Sequence, residues 1–184
     1  MKYSKEWLLK NWNQDGNNPE ILPFYGHSVT EKVSETCFSQ RYPCNFEVDG
    51  VTYYTAEQYM MAQKAKLFGD MEIYEQILQA EDPKTYKALG RKASGFDKDI
   101  WNENKDGIVV SGNYAKFSQN KELGEFLLNT GDKIIVEASP RDVIWGVGLG
   151  KDNPKVMDPH TWRGRNHLGF ALMEVRDRLR ENHE

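Results

Sequence analysis

The chain has 184 residues and carries 24 lysines and arginines against 28 acids, a formal net charge of −4. This length suits one domain with a sizeable core, and the acidic balance argues against a general polynucleotide groove, which needs a basic excess to release counterions from phosphates. With 39% hydrophobic and 12% aromatic residues and no apolar run near the roughly eighteen residues of a membrane span, the composition fits a folded domain with a polar cleft. The stretch Met1 to Lys10 has no apolar core or small-residue cleavage site, so it does not read as a signal peptide. Cys37 and Cys44 form no C-x-x-C pair. They read as packing residues, and a reducing cytoplasm is the simplest home.

Residues 1–22 read as an accessory segment, with Trp7, Leu8 and Trp12 on one short amphipathic turn broken by Asp15-Gly16-Asn17-Asn18-Pro19. The main domain is expected over 23–184. Phe46, Val48, Val51 and Tyr53 alternate around Asp49-Gly50, a two-residue hairpin signal. Thr55 and Gln58 have capping-box spacing, so a helix is predicted from Ala56. Met71, Ile73, Tyr74, Ile77 and Leu78 mark a second helix, and Asp82-Pro83 opens a third that runs to about Arg91. Helices follow near 105–118 and 120–129, the latter ended by Gly131. Ile134-Ile135-Val136 reads as a strand, residues 139–166 as a Gly- and Pro-rich loop, and Leu168, Leu172, Val175 and Leu179 as a final amphipathic helix. Strands and helices do not alternate as in a doubly wound sheet. The expected fold is therefore a single helix-rich α+β domain with a small number of short strands.

Within the helix from Ala56, Glu57, Met61 and Lys64 fall on one face of a 3.6-residue period. They form either a surface pair beside a core stripe or the polar floor of a pocket. Trp145-Gly146-Val147-Gly148-Leu149-Gly150-Lys151 fails both nucleotide-loop tests: its third glycine comes one residue early for a dinucleotide fingerprint, and Asp152 replaces the Ser or Thr of a Walker loop. It is either a turn anchored by a core tryptophan or a loop whose Gly146 and Gly148 let the backbone close on a ligand against Trp145. His27, His160, His167 and His183 lack ligand spacing, so no metal is expected. No G-x-S-x-G elbow occurs.

Several short motifs recur in a fixed order: Phe24-Tyr25, Phe38-Ser39, the hairpin with the Glu57 helix, Leu89-Gly90-Arg91, Trp101, Lys116-Phe117, Thr130-Gly131, Val136-Glu137-Ala138-Ser139, Asp142 to Leu149, and Trp162 to Gly169. In this order and spacing the chain resembles the NADAR family from about Phe24 to Leu179. The resemblance implies action on ribose joined to a nitrogen base. Its YbiA-like branch is associated with hydrolysing the N-glycosidic bond of early riboflavin intermediates, giving ribose 5-phosphate and an aminopyrimidine. Other branches are linked with ADP-ribose, including its removal from guanine.

Carried over by motif, the family's acidic and aromatic site positions fall on Glu57, Trp101, Asp142 and Trp145, and its helix amine on Lys64. Glycosidic cleavage passes through an oxocarbenium-like state. It needs a proton for the leaving nitrogen and a carboxylate or nucleophile near the anomeric carbon. Glu57 is the expected general acid/base and Lys64 its electrostatic partner or a Schiff-base nucleophile. Asp142 completes the catalytic candidates, placed to hold a ribose hydroxyl. Glu137, ending a buried-looking strand, either has a raised pKa or pairs with a nearby donor. Arg91, Arg163 and Arg165 are candidate phosphate cations, Trp101 faces Trp145 across a flat base or lies in the core, and Trp162, Asn166, Phe38 and Ser39 complete the expected binding set. Gln40 and Arg41 depart from the family, which usually has Asn and then an apolar residue. No cofactor, partner protein or membrane is expected. The expected substrate is a small phosphorylated riboside, with nucleic acid only as an ADP-ribosylated substrate and a non-catalytic ADP-ribose or NAD binder as the remaining alternative.

Overall fold

The structure is a computed structural model, and it describes residues 1–183. Helix α1 (Lys5–Asn11) starts at Ser4, whose hydroxyl accepts from Trp7 N at 3.0 Å. Strand β1 (Ile21–Phe24) follows, then a 3₁₀ turn over Glu35–Phe38. Strands β2 (Phe46–Val48) and β3 (Val51–Tyr53) form the expected hairpin. Asp49 and Gly50 between them have φ of 51° and 78°, the paired positive values a tight two-residue turn requires. Helix α2 (Ala56–Leu67) begins where Thr55 accepts from Gln58 N at 3.0 Å. Asp70 caps α3 (Met71–Gln79), and Asp82 with Pro83 starts α4 (Pro83–Lys92). Then come α5 (Lys98–Gln119), α6 (Lys121–Asn129), β4 (Ile134–Glu137) and α7 (His167–Glu181). The fold is α+β and helix-rich, as expected.

Helix α2 lies at the centre, packed on α3, α4 and α5, while α7 packs on α5 and β4. Ile134, Ile135 and Val136 of β4 are fully buried, and β4 pairs in parallel with β1 from Ile21↔Ile134 to Phe24↔Glu137. The other edge of β4 meets a side chain instead of a strand. Asn166, buried and at φ 55°, accepts from Glu137 N at 3.0 Å and donates to Ile135 O at 2.9 Å. Asparagine suits this place because it tolerates the left-handed region and its amide supplies both a donor and an acceptor.

Three boundaries differ from expectation. Strand β1 straddles residue 22 and Leu8 lies in the core, so the first residues are knit to the domain through Ile21 and Leu22. Helix α5 starts at Lys98, well before 105, because Asp97 accepts from the amides of Asp99 and Ile100. The 139–166 loop contains two 3₁₀ turns, Pro154–Met157 and Pro159–Thr161. Among the described residues, no helix is long and apolar enough to cross a membrane.

Candidate active site

A cleft of about 290 Å³ opens where the first turn of α2 approaches the end of β4. One wall belongs to α2 and to the segment after the Glu35–Phe38 turn. Glu57 is buried in the first turn of α2, where its amide donates to Gln40 O at 2.9 Å and Oε2 accepts from Arg41 Nε at 2.9 Å. Burial pushes the Glu57 carboxyl above the ordinary range, while the charges of Arg41, Lys87 and His27 oppose that rise. Two turns along, Lys64 lines the same cleft. Its Nζ lies 4.9 Å from the Phe96 ring centre and 5.5 Å from that of Trp101, a cation–π clamp. Burial lowers its pKa, and the charge of Arg91 lowers it further. Glu57 and Lys64 form no ion pair with each other; Glu57 is matched by Arg41.

The opposite wall comes from β4 and the loop behind it. Glu137 lines the cleft, yet its Oε2 is buried with no hydrogen-bond partner among the described residues. Burial pushes its pKa up to about 8, and the neighbouring charges of Asp142 and Glu57 add to the rise. A carboxyl so placed holds its proton at neutral pH. Asp142 Oδ1 accepts from Ile144 N at 3.0 Å and Trp145 N at 2.8 Å, which fixes the turn that presents Trp145 to the cleft. Trp145 meets His167 edge-to-face, and the His167 ring contacts Asp106 at 2.8 Å.

The turn carrying Ser39, Gln40 and Arg41 is pinned from behind by α5. Lys116, wholly buried, donates to Cys37 O at 2.6 Å and Ser39 O at 2.9 Å. Asn113 exchanges amide hydrogen bonds with Gln40 at 3.1 and 3.3 Å. A buried ammonium facing carbonyls instead of a carboxylate is costly to desolvate, and its pKa falls accordingly. Its bonds fix where the backbone of the turn runs.

Of the residues expected at the site, the cleft gathers Ser39, Glu57, Lys64, Trp101, Glu137, Asp142 and Trp145. The others lie elsewhere, and each displacement has a local cause. Phe38 is fully buried against Phe24, Phe117 and Phe126. Trp162 is a core residue whose indole donates to Val156 O at 2.8 Å. Asn166 is spent on β4. Gly146 and Gly148 sit behind the wall: a Cβ on Gly146 would fall 2.9 Å from Glu137 O, and Gly148 has φ +70°. Gly146 lets the loop backbone approach Glu137 and Gly148 takes a left-handed turn beside Val143 and Arg163; neither lines the cleft. Arg91 and Arg163 are exposed outside the lining, and Arg165 pairs with Glu6. The lining residues outside the expected set are Gln40, Arg41, Lys87, Met60, Met61 and Leu168. Arg41 had one signal, its departure from the apolar residue usual in that motif; Lys87 had none, since an exposed helical lysine is the commonest kind.

Residues 24–180 match the NADAR domain. The chain belongs to the NADAR family. It is 46% identical over 145 residues to an N-glycosidase of Acanthamoeba polyphaga mimivirus, covering 76% of this chain and 85% of that protein. It is 35% identical over 141 residues to a riboflavin biosynthesis protein of Vibrio vulnificus, covering 77% of this chain and 35% of the other. The NMR structure of the Escherichia coli protein YbiA superposes with a TM-score of 0.71 at 31% identity, covering 89% of this chain and 86% of that one. Every residue that lines the cleft, from Ser39 to Leu168, lies inside the matched NADAR region.

Proposed function

We propose that this cleft hydrolyses the ribosyl–nitrogen bond of early riboflavin intermediates, releasing ribose 5-phosphate, with Glu137 delivering the proton to the departing nitrogen. The chain is an N-glycosidase, the activity named for its mimivirus relative and for YbiA of E. coli, which is 33% identical over 159 residues. The Vibrio relative's name supports the riboflavin assignment. A cleft near 290 Å³ is at the small end for ligand sites and suits one riboside better than a dinucleotide.

The observation that carries the mechanism is the contrast between Glu137 and Glu57. Two carboxyls whose environments separate their proton affinities divide acid and base roles between them. Glu137, protonated at neutral pH, gives its proton to the leaving nitrogen as the carbon–nitrogen bond breaks. Glu57, paired with Arg41, takes the proton from the attacking water, whose oxygen bonds to the anomeric carbon. The proton-carrying role expected of Glu57 alone thus divides between two residues. Asp142 adds negative charge near the oxocarbenium-like carbon, and Trp101 and Trp145 offer flat faces for the base. Lys64, with its lowered pKa, is placed to stabilise charge or to attack the anomeric carbon itself, in which case water later hydrolyses the Schiff base.

Incubation of the purified protein with the two early riboflavin intermediates, followed by assay of ribose 5-phosphate, tests this reading. Release from at least one is expected. No release from either, together with turnover of an ADP-ribosylated guanine substrate, would move the activity to the other NADAR branch. Borohydride during turnover should trap a protein–sugar adduct if Lys64 attacks carbon, and none if it acts only through its charge.

A further inference from the structure

The arginines expected to receive phosphate all lie outside the cleft lining, while three carboxyl groups line it: Glu57, Glu137 and Asp142. With Glu137 protonated, the other two acids still repel a phosphorylated sugar, which needs cations placed to receive it. Three cations line the cleft: Lys64, Arg41 and Lys87. Lys64 is held between the Phe96 and Trp101 rings. That leaves the other two.

Arg41 is built as a receiver. Its Nε is committed to Glu57, its amide donates to Ser39 Oγ at 3.2 Å, and its turn is pinned by Lys116 through Cys37 O and Ser39 O. Its two Nη groups have no partner among the described residues. An anchored guanidinium with its terminal donors free matches the geometry of a phosphate monoester and loses little freedom on binding. Lys87 reaches the same cleft from α4, packed on α2, and has no ion-pair partner among the described residues. Both residues line the cleft that holds Glu57, and the charges of both act on its carboxyl.

We infer that Arg41 and Lys87 form the subsite for the 5-phosphate of the ribosyl substrate, so that a residue departing from the family pattern sets the preference for phosphorylated sugars. This deepens the reading above and rests on it for the identity of the sugar. Because Arg41 shares its guanidinium between Glu57 and the phosphate, the anion is seated beside the carboxylate that activates water.

The test is calorimetric titration of the full chain with ribose 5-phosphate, with ribose and with inorganic phosphate. The wild type should prefer ribose 5-phosphate to ribose, and Arg41→Met and Lys87→Met should each reduce that preference roughly 10-fold to 100-fold, the scale of a charge-assisted hydrogen bond. Arg41→Lys should recover only part, since a point charge lacks the fork. Lys87 is exposed, so its variant will fold, and thermal melting checks the Arg41 variants. Equal affinity for ribose 5-phosphate and ribose in the wild type, or a preference unmoved by both methionine variants, would overturn the subsite. Inorganic phosphate binding as tightly as ribose 5-phosphate would also overturn it as a sugar-phosphate site. The two readings separate cleanly. Arg41-dependent binding of ribose 5-phosphate without cleavage of any N-riboside keeps the subsite and removes the reaction, while cleavage with an unmoved preference does the reverse.

Discussion

At the start of α2, Glu57 rests against a guanidinium 2.9 Å away, whereas at the end of β4 Glu137 has a buried oxygen with no hydrogen-bond partner among the described residues. Both carboxyls are pushed above the ordinary range by burial, yet only on Glu57 do neighbouring cations oppose the shift; on Glu137 the neighbours are acids and add to it. The two walls therefore set one chemical group in opposite surroundings, with cations beside Glu57 and acids beside Glu137. The difference arises in the supports. A turn pinned by a buried lysine delivers Arg41 to one wall, whereas the asparagine at the other wall's strand edge bonds backbone and leaves the Glu137 carboxyl alone.

The largest expected effect breaks this asymmetry. Glu137→Gln keeps size and most packing but cannot give up a proton, and should lower kcat by roughly 10²-fold to 10⁴-fold, the usual scale of acid–base catalysis. Wild-type kcat/KM should fall as pH rises through about 8, where Glu137 loses its proton, and Glu57→Gln should keep that alkaline limb while losing the acidic one. The acidic limb should lie above the ordinary carboxylate range, because burial raises Glu57. An alkaline limb that survives in Glu137→Gln would remove it as the acid.

The supports come next in size. Asn166→Ala leaves Ile135 O and Glu137 N buried without partners and puts alanine into a left-handed conformation. A loss of about 2–4 kcal/mol in unfolding free energy follows from two unsatisfied groups and that strain. Asn166→Gly should recover about 1 kcal/mol, the conformational share alone. Equal losses in the two variants, read by chemical denaturation, would place the whole effect in the hydrogen bonds. The orphaned carboxyl itself has a stability signature. Glu137 has an ordinary value of 4.5 when unfolded and about 8 when folded, so the folded state binds its proton more tightly. Between those values the unfolded chain has released the proton and the folded one has not, and stability falls as pH rises across the window. Glu137→Gln removes that dependence. Its unfolding free energy should match the wild type near pH 4.5 and exceed it near pH 8, by an amount on the order of a few kcal/mol.

Much of this was legible from local pattern. The Thr55 cap, the Asp49-Gly50 turn, the Asp82-Pro83 start and the β4 run each state their structure within a few residues, and each formed as expected. What escaped was long-range. Nothing near Ile21 announces a parallel partner at Ile134, and no strand is legible there from local pattern. Lys116 looks like any helical lysine until the Cys37–Ser39 turn folds over it. The acids of the cleft were named because they sit inside motifs. Arg163 and Arg165 lie beside tryptophan and asparagine in sequence, yet both are exposed and Arg165 pairs with Glu6. Short-range spacing identified helix faces. It did not say which loop would face them.

The smallest expected effect is also the one whose sign distinguishes two chemistries. Arg91 is exposed and lies outside the cleft lining, but its charge lowers the pKa of Lys64. Removing it as Arg91→Gln lets Lys64 hold its proton to higher pH. If the Lys64 amine attacks the anomeric carbon, less of it is free at neutral pH, so kcat should fall and recover as pH is raised. If Lys64 serves only as a cation, the same change leaves more of it charged, and kcat should stay level or rise slightly. Either change should be below about 3-fold, because an exposed charge is screened by solvent. High salt should produce the same shift in the wild type and none in the variant, since a Debye length near 3 Å at about 1 M removes the Arg91 field. Pre-steady-state rates measured at two salt concentrations and across pH would read that sign. If direct titration of Lys64 at low salt gives the same midpoint in Arg91→Gln as in wild type, Arg91 does not reach Lys64, and burial between Phe96 and Trp101 sets its proton affinity.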